Sequence, residues 1–189
     1  MTAFFLNNKA IEYTGDPERS LLDYLRLSAG ITSAKDGCSG QAACGACTVE
    51  INGKARLACT QKMKFLEGAQ VITMEGIPEN VRNAIASAYV SKGAVQCGFC
   101  TPGLIMRTKV LFAENPLANR QEITKAINQN MCRCTGYVKI IEAIEEALAI
   151  LREDKTFQAE AIDGGIGKPL AKYEAFVTAI GRRKFVNDM

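Results

Sequence analysis

The sequence predicts an α+β protein in which a small mixed sheet comes first and an all-α domain follows. Apolar residues follow the period of two typical of strands up to about residue 76, and from Ile77 onward their period is close to 3.6. The eight cysteines also divide into four in each half. We therefore expect one domain over residues 1–76, a second over 77–152, and a further segment over 153–189.

Two hairpins and one more strand are predicted in the first domain. Each hairpin turns at a residue pair that tolerates positive φ, Asn7-Asn8 in the first and Asn52-Gly53 in the second. The predicted strands are Phe4–Leu6, Ala10–Tyr13, Cys47–Ile51, Lys54–Leu57 and Val71–Met74.

Helices are predicted from apolar residues at helical spacing and from capping residues. In the first domain, Asp16-Pro17 offers a cap and a first-turn proline for a helix that carries apolar residues, which are Leu21, Leu22 and Leu25. The second domain is expected to be a four-helix bundle with short links. The first helix is expected to begin at Pro78 and the second to span Leu104–Phe112. The third is expected to begin at Asn119, with Glu122 in capping-box position, and the fourth to span Val138–Leu151.

The composition excludes a large group of metal and redox sites. Of 189 residues, 48% are hydrophobic and 23% are charged, as in ordinary globular proteins, but none is histidine. Serine-protease triads, HExxH zinc sites, Rieske centres and His-ligated haem all need an imidazole. Any metal or redox chemistry of this chain must therefore depend on its thiolates.

Charge and hydropathy give no support for nucleic-acid or membrane binding. The excess of 23 Lys and Arg over 20 Asp and Glu amounts to a net charge of only +3. The longest uncharged stretch, Gly93–Met106, is shorter than the roughly 18 residues that a membrane-spanning helix needs. Met1–Lys9 lacks the basic start of a signal peptide, and we expect a cytoplasmic location. In that reducing compartment, clustered cysteines indicate metal or redox centres before disulfides.

The cysteines form two sets with ligand-like spacing. The first cysteine set is Cys38, Cys44, Cys47 and Cys59, and the second cysteine set is Cys97, Cys100, Cys132 and Cys134. Four thiolates suit a [2Fe-2S] cluster or a structural zinc ion, and a disulfide protein is a third alternative. Small residues fill the first loop and let backbone amides approach sulfur; they are Gly37, Ser39, Gly40, Ala42, Ala43, Gly45 and Ala46. They favour iron-sulfur clusters over a non-enzymatic zinc-binding interaction module.

Three segments around these cysteines carry a resemblance to a known family. They are Gly37–Val49, Gln96–Gly103 and Asn130–Tyr137. Over about residues 3–152 the sequence resembles the iron-sulfur subunits of the molybdenum hydroxylases, the xanthine dehydrogenase and aldehyde oxidoreductase family. The resemblance implies a plant-ferredoxin-like β-grasp domain with one [2Fe-2S] cluster, then a four-helix domain with a second, with the two cysteine sets as ligands.

The first loop departs from the plant-type spacing. Five residues separate Cys38 from Cys44, where the plant-type pattern has four. The extra residue must bulge out of the loop or change which amides face the cluster. The string from Cys38 to Cys44 resembles the subgroup of selenium-dependent xanthine dehydrogenases and purine hydroxylases.

The end of the sequence carries a second resemblance. Asp163–Pro169 has the composition of a linker, and Ile166–Leu170 with Ala179–Asp188 resembles the opening of the large molybdenum-binding portion of the same family. This implies that the large portion either continues this polypeptide or is a separate chain that docks here.

The resemblance also implies roles for the residues. The second cysteine set lies nearer the molybdopterin and receives electrons first; the first set passes them to a flavin (FAD) subunit or a soluble, ferredoxin-like acceptor. Gln96 and the backbone around Cys134 contact the molybdopterin. No catalytic residue is expected here, because substrate chemistry on a purine, another N-heterocycle or an aldehyde belongs to the large portion. The chain is thus expected to be an oxidoreductase component that relays electrons without turning over substrate alone.

Overall fold

Residues 1–153, 170 and 172–189 are described by the computed structural model of the chain. These residues form a mixed five-stranded sheet followed by helices, which confirms the predicted α+β class. The predicted linker Asp163–Pro169 lies outside the described residues. Within the described part, no helix is both long and apolar enough to span a bilayer.

The sheet has the strand order β2-β1-β5-β3-β4. β1 and β5 run parallel, and the β1–β2, β3–β4 and β3–β5 pairs are antiparallel. The strands are β1 Thr2–Leu6, β2 Lys9–Tyr13, β3 Thr48–Ile51, β4 Lys54–Leu57 and β5 Gln70–Ile72. Both predicted hairpin turns are confirmed, because Asn7, Asn8, Asn52 and Gly53 all have positive φ.

The first helix begins later than its sequence signals indicate. α1 spans Leu21–Asp23 and continues as a π-helical turn over Tyr24–Ser28. Its cap is Ser20, whose hydroxyl accepts the Asp23 amide at 3.0 Å, so the prediction of a cap at Asp16 is wrong. Asp16 instead accepts the Glu18 amide at 2.8 Å in a separate turn.

The helices of the second domain follow the predicted order. They are α2 Glu79–Ser91, α3 Thr101–Glu114, α4 Arg120–Ala126 and α5 Val138–Arg152. The predicted capping box of α4 is confirmed: the Asn119 side chain accepts the Glu122 amide at 3.0 Å, and the Glu122 carboxylate accepts the Asn119 amide at 2.7 Å. A further short helix, α6 over Ala175–Ala179, is not predicted from the sequence.

Two hydrophobic cores support the two halves. One lies against the sheet and includes Phe4, Leu21 and Val71; the other lies among the helices and includes Ile85 and Leu104. Each such side chain stabilises the fold by about 1.5–3 kcal/mol through burial. The helical core also takes in residues of α6, which are Ala175 and Ala179.

The two halves meet where α3 packs against β3. Lys109 on α3 forms a partly buried ion pair with Glu50 on β3. A Cβ on Gly103 would lie 2.7 Å from the Gly45 carbonyl oxygen, so only glycine allows the start of α3 to come this close. This contact places the loop of the first cysteine set beside the loops of the second.

Candidate metal centres

The first cysteine set surrounds one end of the β3–β4 hairpin. Cys38 and Cys44 lie in the loop before β3, Cys47 directly precedes β3, and Cys59 lies in the 3₁₀ turn after β4. The hairpin register pairs Thr48 with Leu57, and the Ala58 amide donates to the Cys47 carbonyl at 3.1 Å. Because of this pairing, the thiols of Cys47 and Cys59 meet.

The thiols of the first set are arranged as two adjoining pairs. The side chains of Cys38 and Cys44 lie close enough to interact with one another, as do those of Cys47 and Cys59. Cys44 and Cys47 interact electrostatically, so that the two pairs are neighbours. The structure therefore brings together all four cysteines that the sequence groups in this half.

The second cysteine set has the same arrangement in pairs. Cys97 and Cys100 lie in the turn that opens α3, with Cys100 at the N-cap position, and the other two lie in the loop before α5. The Cys100 side chain lies close enough to interact with that of Cys132, and the Cys97 side chain with that of Cys134. Cys97 also interacts with Cys100, so these two pairs adjoin as well.

No group of three His, Cys, Asp or Glu side chains within the described ranges is arranged to hold a single metal ion. The close contacts are between thiols in twos. Four thiolates that adjoin as two pairs match a binuclear iron cluster, in which each iron takes two protein sulfurs.

Backbone amides line the loop before Cys44. Burial alone raises the pKa of Cys38, but hydrogen bonds from the Ala43 and Cys44 amides outweigh it and bring the pKa below its ordinary value. An anionic sulfur in a cluster needs such donors, so the loop suits a bound [2Fe-2S] group.

The loop accommodates its extra residue by bulging outward. The five residues between Cys38 and Cys44 are all exposed. Three of them have positive φ, which are Ser39, Gly40 and Ala42. For the two that are not glycine, this conformation costs about 1–2 kcal/mol each. The bulge leaves the amides of Ala43 and Cys44 directed at the Cys38 sulfur.

Burial shields two thiols from water, that of Cys47 fully and that of Cys100 in part. Burial raises the pKa of Cys47 to about 12, and burial likewise raises the pKa of Cys100. A buried thiol loses its proton only when a nearby positive charge replaces it, and iron supplies that charge. The donor set and the buried positions of these sulfurs therefore fit a metal cluster.

The second set is open on one side. Cys97 and Cys134 are exposed, whereas Cys132 is buried and Cys100 is half-buried. Gln96, next to Cys97, is also exposed, and its carbonyl accepts a hydrogen bond from the Lys172 ammonium. The structure thus places Gln96 and Cys134 on the same open side.

A direct backbone hydrogen bond joins the two sets. The Met131 amide donates to the Cys44 carbonyl at 2.8 Å. Beside it, the buried Asn130 side chain donates to the Gly45 carbonyl at 2.9 Å and reaches the Thr48 hydroxyl at 3.2 Å. Asn130 lies in one of the motif segments, but no sequence signal indicates this contact with the other domain.

Two more polar residues near the first loop form a contact that the sequence does not indicate. Lys35 and Asp188 form an ion pair whose side chains are fully buried, and 153 positions separate them in the chain. The only sequence clue is that Lys35 shortly precedes Cys38.

Comparisons with known proteins agree with this geometry. Residues 20–86 match the family described as "2Fe-2S iron-sulfur cluster binding domain", and residues 73–145 match "[2Fe-2S] binding domain". The nicotinate dehydrogenase small FeS subunit of Eubacterium barkeri is 42% identical over 144 residues, which cover 76% of this chain and 91% of that subunit. These matches do not favour the zinc and disulfide interpretations.

Solved structures extend the similarity to the fold. The aldehyde oxidoreductase of Desulfovibrio desulfuricans ATCC 27774 aligns with a TM-score of 0.89 and 37% identity, covering 99% of this chain but only 22% of that one. A chain of quinoline 2-oxidoreductase from Pseudomonas putida 86 aligns with a TM-score of 0.73 and 34% identity, over 80% of this chain and 95% of its own length. The predicted ferredoxin-like and helical [2Fe-2S] domains are confirmed. As an electron-transferring iron-sulfur component of an oxidoreductase, this chain belongs to the family of iron-sulfur subunits of the molybdenum hydroxylases.

Proposed function

We propose that each cysteine set holds one [2Fe-2S] cluster, the first through Cys38, Cys44, Cys47 and Cys59 and the second through Cys97, Cys100, Cys132 and Cys134. When bound, each cluster supplies one-electron redox chemistry. The observation that carries the proposal is the arrangement of thiols in adjoining pairs. Two pairs provide two sulfurs for each of two irons.

The protein contributes more than ligands to each site. Amides of Ala43 and Cys44 stabilise negative charge on sulfur in the first set, and the Thr135 hydroxyl contacts the Cys132 sulfur at 3.1 Å in the second. Such donors and the degree of burial are the means by which a protein adjusts cluster potentials.

The open side of the second set is the proposed face toward the large partner. A large molybdenum-binding partner follows from the family. We assign Gln96 and the backbone at Cys134 to contact with its molybdopterin, because both are exposed beside the Cys97–Cys134 pair. The Met131–Cys44 hydrogen bond then gives a short connection from the second set to the first.

The half-buried thiols of the first set are the proposed exit for electrons. Cys38, Cys44 and Cys59 are partly accessible, and the exposed loop over 39–43 lies beside them. A flavin subunit carrying FAD, or a ferredoxin-like protein, is the proposed acceptor at this face. We place the complex in the cytoplasm, where eight thiols stay reduced until they receive iron.

Substrate chemistry is assigned to the large partner. Relatives named for nicotinate, quinoline, xanthine and aldehydes favour hydroxylation of an N-heterocycle or an aldehyde. The selenium-dependent purine subgroup stays a prediction, as do the domain limits 1–76 and 77–152 with a molybdenum-domain-like segment beyond them.

Metal analysis of the purified chain tests the ligand proposal. We expect about four irons and four acid-labile sulfides per chain. Cys100→Ser is expected to remove about half of the iron and leave the first site loaded, and Cys44→Ser the reverse. Zinc at two per chain without sulfide, or equal loss at both sites in either variant, would contradict the proposal.

Co-purification tests the proposed partners. Native purification followed by mass spectrometry is expected to recover a large molybdenum-containing chain with this one. Gln96→Ala is expected to weaken that association, whereas Gln121→Ala, an exposed glutamine on α4, serves as the matched control. Recovery of the chain with no molybdenum protein at all would contradict the assignment.

A further inference from the structure

The described residues after α5 return to the cysteine loops. We name residues 172–189 the C-terminal clasp. Its helix α6 is buried in the helical core, where Ala175 and Ala179 are 4% and 0% exposed. Beyond α6 the clasp crosses to the loop that leads into Cys38, where Asn187 donates from its side chain to the Asp36 carbonyl at 2.8 Å.

A buried group of three charges lies where the clasp meets the first domain. One Asp188 carboxylate oxygen is 2.5 Å from the Lys35 ammonium, and the other is 2.9 Å from the Arg26 guanidinium. The side chains of Lys35 and Asp188 are fully buried, and that of Arg26 is 10% exposed. The net charge of the group is therefore +1.

The same part of the clasp also touches the second cysteine set. The ring of Phe185 packs edge-to-face on Phe99 with centroids 5.1 Å apart, and Phe99 lies between Cys97 and Cys100. The Lys35 ammonium is 5.1 Å from the centroid of the same Phe185 ring. One clasp residue is thus in contact with both the buried charges and the second loop.

Close backbone contacts fix the clasp in place. A Cβ on Gly98 would lie 2.0 Å from the Thr178 methyl group, and a Cβ on Gly181 would lie 2.8 Å from the Ser33 Cβ. Both glycines have positive φ, so a side chain there would also strain the backbone. The clasp therefore fits against both domains without room for an extra methyl group.

Burying charges in this way does not by itself make the fold more stable. Removing two ions from water costs several kcal/mol per ion, and a hydrophobic pair of similar size is often as stable or more so. A charged group kept at this position has another use when a redox centre is nearby. Reduction adds one negative charge to a [2Fe-2S] cluster, so nearby cations favour the reduced form and nearby anions disfavour it.

We propose that Asp188 is a positioning residue that holds Lys35 against the first cluster loop and balances its charge, so that the clasp adjusts the reduction potential of the cluster on Cys38, Cys44, Cys47 and Cys59. This inference rests on the proposed ligand assignment. Lys35 precedes Cys38 by three residues, and its amide donates to the Ala46 carbonyl at 3.2 Å, directly before Cys47. The backbone of Lys35 is therefore held at both ends of the loop, and its ammonium lies beside the Phe185 ring that packs on Phe99.

Two variants that change the charge of the Lys35–Asp188 pair in opposite directions test the proposed effect on the potential. Redox titration followed by electron paramagnetic resonance measures the potential of each cluster in the loaded 189-residue chain, and the Cys100→Ser variant identifies the signal of the first cluster. Lys35→Met removes a cation and is expected to lower that potential. Asp188→Asn removes an anion and is expected to raise it. The double variant restores the net charge of +1, and its potential is expected to lie between those of the two single variants.

The order of the three potentials decides the outcome. If the pair had a purely structural role, both single variants would shift the potential of the first cluster in the same direction, or neither would shift it. Any order from the lowest to the highest potential other than Lys35→Met, double variant, Asp188→Asn overturns the inference. Glu145→Gln, in the exposed ion pair with Arg120, is the matched control and is expected to change neither potential. Absence of iron from the unmodified chain would instead overturn the proposed ligand assignment, so the two failures are distinguishable.

Discussion

The amide of Met131 donates a 2.8 Å hydrogen bond to the carbonyl of Cys44 and thereby links the two cysteine sets through the backbone. Cys44 belongs to the first set, and Met131 directly precedes Cys132 of the second. The Met131 side chain is 58% exposed, so the contact depends on its backbone and not on its side chain. The two domains are therefore joined at the point where a relay of electrons requires them to be close.

Hydrogen exchange at the Met131 amide tests this link. We expect slow exchange despite the exposed side chain, because the amide opens to solvent only when the domains separate. Exchange resolved to single residues by mass spectrometry measures it. Gly45→Ala is expected to speed exchange at Met131, and fast exchange in the unmodified chain would contradict the link.

Gly45→Ala is expected to be strongly destabilising. A Cβ at this position would lie 2.2 Å from the Gln129 carbonyl oxygen, and Gly45 has a φ of +69°. We expect a loss of about 3 kcal/mol or more in the free energy of unfolding, measured by denaturant titration. Gly93→Ala has a similar φ of +67° but no atom within 4 Å, so it isolates the cost of the backbone conformation, about 1–2 kcal/mol. Equal losses in the two variants would show that the close approach contributes nothing.

Asn130→Ala tests the polar contact beside the link. The variant removes the side-chain donor that reaches the Gly45 carbonyl at 2.9 Å, in a site where Asn130 is only 3% exposed. The Gly45 carbonyl keeps the Thr48 amide and hydroxyl as donors, so the expected loss in the free energy of unfolding is that of one hydrogen bond, about 0.5–1.5 kcal/mol. Asn128→Ala, at an exposed position two residues away, is the control and is expected to change stability by less than about 0.5 kcal/mol.

Tyr89 is expected to make stability fall at alkaline pH. Burial raises the pKa of this phenol above its ordinary 10.0, while in the unfolded chain the phenol ionises near that value. Its contribution is therefore complete below pH 10 and is lost progressively as the pH rises from there toward the folded-state pKa, by up to about 1.4 kcal/mol per pH unit.

The Tyr89→Phe variant isolates this effect. At neutral pH it is expected to be about 1 kcal/mol less stable, because the 3.1 Å hydrogen bond to Thr108 is lost. Above pH 10 the difference from the unmodified chain is expected to shrink and reverse, as followed by denaturant unfolding with circular dichroism. A constant difference across this range would contradict the prediction. Tyr173→Phe controls for an exposed tyrosine, at 83% exposure.

Local chemistry made much of the fold predictable. Asn52-Gly53 gives a hairpin turn because both residues accept positive φ, and Asn119 with Glu122 gives a capping box, because both interactions span few residues. The grouping of the cysteines was predictable for a related reason, since each domain carries its own four. The start of α1 was not, because Asp16 and Ser20 are both good caps and the packing of Leu21 decides between them.

Contacts between distant residues were beyond the reach of the sequence pattern. Lys35 and Asp188 are 153 positions apart, and each is an ordinary charged residue by itself. The short helix α6 has too few residues to give a clear period, and it is helical because Ala175 and Ala179 are buried against the bundle. The amide of Met131 carries no sequence signal at all, because every residue except proline has one.

Electron paramagnetic resonance of the dithionite-reduced chain shows whether it holds two clusters, because each reduced [2Fe-2S] cluster has one unpaired spin. We expect two distinct spin-half signals of about equal intensity, each lost selectively when a cysteine of its own set is replaced by serine. A single signal, or none in a chain that is fully folded, would contradict this expectation.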